Sequence, residues 1–380
     1  MNFTPLGIGN EELGKMKFTI GIHNKDAKER VVQIRDGSNL IYEERIKDPN
    51  LLTQGEHDWY WDGFDNNGIL DTKKLTEAKG LNLLTKVWYG TDEDEFDTLK
   101  FKMKYKKVDW VDLKINKNTK RVDVTLRVDL KDGGTKGVKC RKDTNSIIEE
   151  EKCPWDKIPK EAIKYFLNEP LKSRTKGFED LKKLALDGIS EHWSRKGERF
   201  VMINEEKYEV SVNTIDVKKN TMDDVNLTFN TNRKSLGSSN PGTIDGLISL
   251  VANIFVPERV SYNVGYIKYD VDFPDPLKGW RYIDEWIAIS TFKYTSAHEI
   301  GHTILKAYGG TVHSYKHEKS STLITQSVLP VKKGGFDYPD KGDVDVMKYY
   351  NHERNDYARV FATEENVLGL LSLSKLSVEE

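Results

Sequence analysis

Long apolar runs are missing from this chain of 380 residues. None approaches the roughly 18 residues that a helix needs to cross a bilayer, so no integral membrane segment is expected. A charge excess is missing too. The 59 basic and 61 acidic residues leave a formal net charge of −2, without the basic surplus or stripe that a nucleic-acid binder carries, so no nucleic-acid partner is expected. Residues 1–15 hold no positively charged start followed by an apolar stretch. No signal peptide is therefore expected; synthesis in the cytoplasm is, and any export would follow a route that reads no such signal. Cysteine is scarce. Cys140 and Cys153 either close a loop in an oxidising compartment or stand as two free thiols, and they lack neighbours at zinc-ligand spacing. What is abundant is 37% apolar, 10% aromatic and 32% charged residues, enough for more than one core beneath a well-charged surface.

The first hundred residues alternate at the period of a half-buried strand. Phe18, Ile20 and Ile22 do so, as do Val32 and Ile34, Leu81 and Leu83, then Phe101, Met103 and Tyr105. Between them runs Trp59-Tyr60-Trp61-Asp62-Gly63-Phe64-Asp65-Asn66-Asn67-Gly68, whose Asn-Gly pair predicts a tight turn. It is not a calcium loop: counting back from Gly68 places Gly63 where the first ligand belongs. The segment resembles a turn in the immunoglobulin-like domain of flagellar hook-capping proteins, which implies a β-sandwich. Val122, Val124, Leu126, Val128 and Leu130 alternate in a second β-stretch, and residues 131–159 read as a linker or exposed loop. Phe178, Leu181, Leu184 and Ile189 mark a helix face ending near Trp193; strand-like segments follow at 208–217 and 225–229, with an apolar stretch at 244–256. The expected division is a β-rich region at 1–106, a β-stretch and linker at 107–160, and an α+β region at 161–380.

The chemistry lies in His298-Glu299-Ile300-Gly301-His302. Ala297, Ile300, Ile304 and Ala307 give an apolar stripe at helical spacing, and Gly309-Gly310 supplies a helix stop. His298 and His302 then stand one turn apart on one face, able to bind one Zn²⁺, with Glu299 placed to take a proton from water. Five of the eight histidines fall between 298 and 352. Tyr349, Tyr350 and His352 are candidates to stabilise the oxyanion, of which Tyr349 and His352 are retained as catalytic candidates. A catalytic zinc takes a third protein ligand. Leu305 and Tyr308 exclude the metzincin spacing, which leaves His313, His317, Glu318, Asp337, Asp340, Asp343, Asp345 and His352 as donors.

Residues 298–310, then His313-Ser314-Tyr315-Lys316-His317 with Ser320-Ser321-Thr322, then 342–350 resemble the metallopeptidase effectors of bacterial type VI secretion, including the C-terminal toxin domain of some spike proteins. The resemblance implies a zincin-like α+β domain, zinc held by His298, His302 and a downstream Glu, and a toxin active in the periplasm of a target cell. The position matching that Glu is Asp343, one methylene shorter, with Asp345 and His317 as alternative ligands. Implied partners are a peptide or peptidoglycan substrate, a cognate immunity protein and a secretion-spike component. Other readings are a zinc peptidase of cell-wall maturation, an adaptor module of a spike or phage tail with a non-catalytic zinc, and a zinc amidase acting on peptidoglycan.

Overall fold

The computed structural model describes residues 1–90, 95–142, 151–238, 258–270, 277–323, 327–351 and 356–379. The apolar stretch expected at 244–256 lies outside the described residues. The protein is α+β, with many strands and few helices. Among the described residues no helix is long and apolar enough to cross a membrane. The chain forms two compact units. One comprises Met1–Leu126, Arg195–Asn213 and Glu364–Glu380, the other Arg127–Ser194 and Thr214–Thr363. These bounds differ from the expected cuts at 106 and 160 because the first unit recruits late segments. Strand Leu376–Glu379 pairs with both Asn2–Phe3 and Lys102–Tyr105, a long-range pairing that leaves no local trace in sequence.

The first unit is built on strands. β1 (Met16–Ile22) pairs antiparallel with β4 (Gly55–Trp61), and β2 (Glu29–Asp36) lies between β3 (Asn39–Ile46) and β5 (Leu81–Trp88). β6 (Glu95–Lys100) completes that four-stranded antiparallel sheet. Along β1, Met16, Phe18, Ile20 and Ile22 are buried, while Lys17 and Thr19 are exposed, which is the expected alternation. Phe18 meets Trp59 and Phe101 at ring-centroid distances of 6.0 and 5.4 Å. The turn after β4 is held by Asp65, whose Oδ1 accepts the amides of Asn67 at 2.9 Å and Ile69 at 2.8 Å. That carboxylate closes a structural turn.

β7 (Val111–Asn116) pairs with the first part of β8 (Arg121–Lys136) in the first unit. In the second unit the later part of β8 runs parallel to β9 (Asp224–Asn230), and β9 parallel to β10 (Arg259–Asn263). Helices α1 (Phe178–Trp193) and α2 (Glu285–Gly309) pack against one another, and α2 packs against β10, where Phe292 meets Tyr262 edge-to-face at 5.5 Å. The segment expected as a linker at 131–159 contains strand pairing: Arg141–Lys142 pairs with Glu151–Lys152, and a Cys140–Cys153 disulfide joins the two strands. The two sulfurs are bonded to each other, which settles the alternatives left by the sequence.

The approach of α1 to α2 depends on a residue without a side chain. A Cβ at Gly188 would lie 2.5 Å from the carbonyl oxygen and 2.7 Å from the Cα of Lys293, and backbone cannot swing aside as a side chain can. In an exposed helix Gly→Ala is favourable by about 1 kcal/mol. Here Gly188→Ala is predicted to destabilise instead, by about 1–3 kcal/mol, measured as a lowered denaturation midpoint.

Candidate metal centre

α2 carries His298, Glu299 and His302 on its buried side; their exposures are 4%, 7% and 0%. The helix starts well before the motif and ends at Gly309, followed by Gly310 at φ 86°. Two contacts fix the motif from behind. The indole nitrogen of Trp193, at the end of α1, donates to the carbonyl of Ala297 at 3.1 Å. Gly301 lets Met347 and Trp193 close under the helix: a Cβ there would overlap Met347 Sδ and come within 2.9 Å of Trp193 Cζ2.

After α2 the chain makes a short helix α3 (Thr311–Tyr315) and a turn that brings in His317. His317 is fully buried, and its ring centroid lies 5.3 Å from that of His298 and 4.6 Å from that of His302. The turn is conformationally unusual. His317, Glu318 and Lys319 are consecutive non-glycine residues with φ of 43°, 56° and 73°, a left-handed run costing about 1–3 kcal/mol per residue.

The oxygen partners favour one tautomer for each imidazole. His298 Nδ1 is 2.7 Å from the Val346 carbonyl, which can only accept. Ser314 Oγ gives its one proton to the His302 carbonyl at 2.9 Å, so it accepts from His302 Nδ1 at 3.0 Å. Ser321 Oγ likewise donates to the Tyr315 carbonyl at 3.3 Å and accepts from His317 Nδ1 at 2.8 Å. All three protons sit on Nδ1, and all three Nε2 atoms present a lone pair. Burial pushes the three imidazoles towards the neutral form: His298 is lowered, His302 lies well below its ordinary value, and His317 is lowered to about 3.

His298 Nε2 and His302 Nε2 face each other at 3.2 Å, and in this tautomer no proton lies between them. His317 Nε2 is buried and has no hydrogen-bond partner. Donor atoms of the three histidines all lie within 4.8 Å of one another. Two nitrogens bound at about 2.0–2.1 Å to a tetrahedral zinc lie roughly 3.3 Å apart, so the spacing matches a shared cation. Converging neutral lone pairs with Nδ1 held by an oxygen acceptor is the donor set that a metal requires. The residues present fit the ion.

Glu299 adds an acid–base group. Its Oε2 is buried without a partner, and burial raises its pKa to about 8. The Tyr349 ring stacks on His317 at 3.8 Å and lies nearly parallel to His298 at 5.5 Å. His352 lies outside the described residues.

The structure distributes the other sequence candidates differently. Asp343 is exposed and outside the donor cluster. Asp345 is buried but turned to other work: its Oδ1 accepts the Met347 amide at 2.9 Å and its Oδ2 lies 3.2 Å from Lys348 Nζ. Neither carboxylate joins the cluster, because residues 344–345 pair with Val360–Phe361 and present the Val346 carbonyl to His298. His313 lies against Tyr308, with Nε2 3.9 Å from Glu318. His317, expected only as an alternative after Asp343 and Asp345, joins the cluster, and Ser314 and Ser321, which carried no expected role, meet Nδ1 of His302 and His317. Serines beside each late histidine were the available signal.

No protein-family model matches the chain, and no curated protein matches it. Among solved structures, truncated FlgD from Helicobacter pylori is similar over 31% of this chain and 77% of that one, at 15% identity and a TM-score of 0.18. A likeness at that level carries no argument.

The protonation pattern makes a pH prediction for the metal-free protein. Unfolded histidines take up protons below about 6.5, whereas the buried ones stay neutral, so the unfolded state binds more protons and stability falls on acidification. Glu299 acts oppositely, since its folded pKa is raised and it favours the folded state as pH drops below about 8. Three groups outweigh one below pH 6.5. Chelator-treated protein should show a lower melting temperature at pH 5.5 than at pH 7, and His317→Gln should reduce that difference.

Proposed function

We propose that the chain is a zinc-dependent peptidase with a zincin-like catalytic region, in which His298, His302 and His317 hold the ion and Glu299 is the general base. The observation that carries this reading is the convergence of three Nε2 lone pairs beside an unpartnered buried carboxyl. Zinc is the proposed ion because the set is all imidazole, without thiolates, and leaves a fourth position open. In such a site zinc lowers the pKa of water and polarises a carbonyl.

The protein's own residues supply the rest. Glu299, buried with Oε2 unpartnered, would accept the proton from the attacking water and pass it to the leaving amine. A cation held beside it would favour the ionised form that accepts a proton. Tyr349, packed on His317, is the candidate to support the developing oxyanion. His317 replaces Asp343 as third ligand in this proposal.

The wider biology rests on the resemblance of residues 298–350 to type VI secretion effectors. On that basis we place the protein among antibacterial toxins that reach the target-cell periplasm through a secretion spike, and that are neutralised in the producer by an immunity protein. The substrate is then an envelope peptide or a peptidoglycan stem peptide. The first unit, with its β-rich and by resemblance immunoglobulin-like part, is proposed to serve docking or delivery.

Zinc content and peptide hydrolysis test the core of this reading. Wild type should hold one zinc per chain, His317→Ala should lose most of it, and Asp343→Ala should keep it. Glu299→Gln should keep zinc and lose about 10²–10⁴ in kcat. Full zinc with undiminished hydrolysis in Glu299→Gln rules out the proposed base. A closed four-ligand zinc with no hydrolysis favours the adaptor reading. Cleavage of muramyl amide bonds alone favours the amidase.

A further inference from the structure

The three consecutive left-handed residues at His317, Glu318 and Lys319 need an external restraint, because nothing in their own side-chain types favours that backbone. Beside the turn's own backbone hydrogen bonds, from Glu318 to His313 at 3.2 Å and from Ser321 to Lys316 at 3.1 Å, restraint comes from residues 344–350. Lys348 Nζ lies 3.2 Å from Asp345 Oδ2 and 3.6 Å from Glu318 Oε2, with the two acidic side chains only 4% and 10% exposed. The ammonium also sits 5.1 Å above the Phe336 ring. Ser320 makes a parallel link: its hydroxyl donates to the His317 carbonyl at 2.6 Å and accepts the Tyr349 amide at 2.8 Å. The same segment presents the Val346 carbonyl to His298.

We infer that Lys348 is a positioning residue for the third metal donor. By joining Glu318, the residue after His317, to Asp345 on the neighbouring segment, it holds the strained turn in register and keeps His317 Nε2 aimed at the other two imidazoles. Ion pairs on the surface contribute little, but this one is half-buried and joins two nearly buried carboxylates, so solvent screens it less. Lys348 touches neither the ion nor the substrate in this account. It acts through His317, and the inference rests on the reading of His317 as a ligand.

A double-mutant cycle on zinc affinity tests it without reference to hydrolysis. Zinc dissociation constants are measured by chelator competition for wild type, Lys348→Met, Lys348→Arg, His317→Ala and the Lys348→Met/His317→Ala double variant. Lys348→Met should weaken zinc binding about 10- to 100-fold, the range for groups that support a ligand, and Lys348→Arg should restore most of it. In the His317→Ala background Lys348→Met should have no further effect. The cobalt(II) form of Lys348→Met should show a changed d–d spectrum at saturating metal. Unchanged affinity in Lys348→Met, or an equal loss in both backgrounds, overturns the inference. If His317→Ala itself leaves affinity unchanged, the ligand reading fails and takes the inference with it. Should Lys348→Met not fold, Glu318→Gln removes the other end of the pair and carries the same comparison.

Discussion

Three buried Nε2 lone pairs pointed at one another are the constraint on which the rest of this site depends. Neutral imidazoles at 3.2 Å without a shared proton repel, and a buried acceptor without a donor costs free energy. The fold imposes the arrangement all the same. It does so through three oxygen acceptors on three different segments: the Val346 carbonyl, Ser314 and Ser321. Each takes an Nδ1 proton and so commits its ring to one tautomer. In the proposed reading, a cation would be the partner that turns this unfavourable cluster into a favourable one.

Reaching that geometry requires close approach and local strain. Gly188 brings α1 onto α2, and Gly301 lets Met347 and Trp193 support the motif from below. The left-handed run at 317–319 is then the counterpart on the opposite wall, bound to residues 344–350 by Lys348 and Ser320. Backbone strain held by surrounding contacts is a form of preorganisation, which places the His317 ring beside the other two imidazoles. Glu299 belongs to the same logic. Its carboxyl is kept dry, with Oε2 unpartnered, and burial raises its pKa.

Much of this was legible in the sequence where periodicity or motif spacing applied. The alternation in β1, the extent of α1 and the turn at Asp65 were readable because each depends on neighbours within a few residues. His298 and His302 were readable for the same reason, since a helix fixes what is one turn away. The place of His317 was not. A downstream carboxylate suggested by family resemblance stood ahead of it, and only the tertiary path of 311–321 brings His317 beside the other two histidines. Strand Leu376–Glu379, paired with strands more than 270 residues earlier in the chain, escaped for a similar reason. The Cys140–Cys153 bond also depends on a ribbon pairing that spacing alone leaves open.

The central claim is that the cluster is a three-histidine metal centre with an open position. Anomalous diffraction from crystals of the zinc-loaded protein, collected above and below the zinc edge, tests it most directly. The account predicts one anomalous peak bonded to Nε2 of His298, His302 and His317 at about 2.0–2.1 Å, with Glu299 near the unliganded side. A peak bonded by Asp343 or Asp345 in place of His317, or no peak between the three rings, would contradict it.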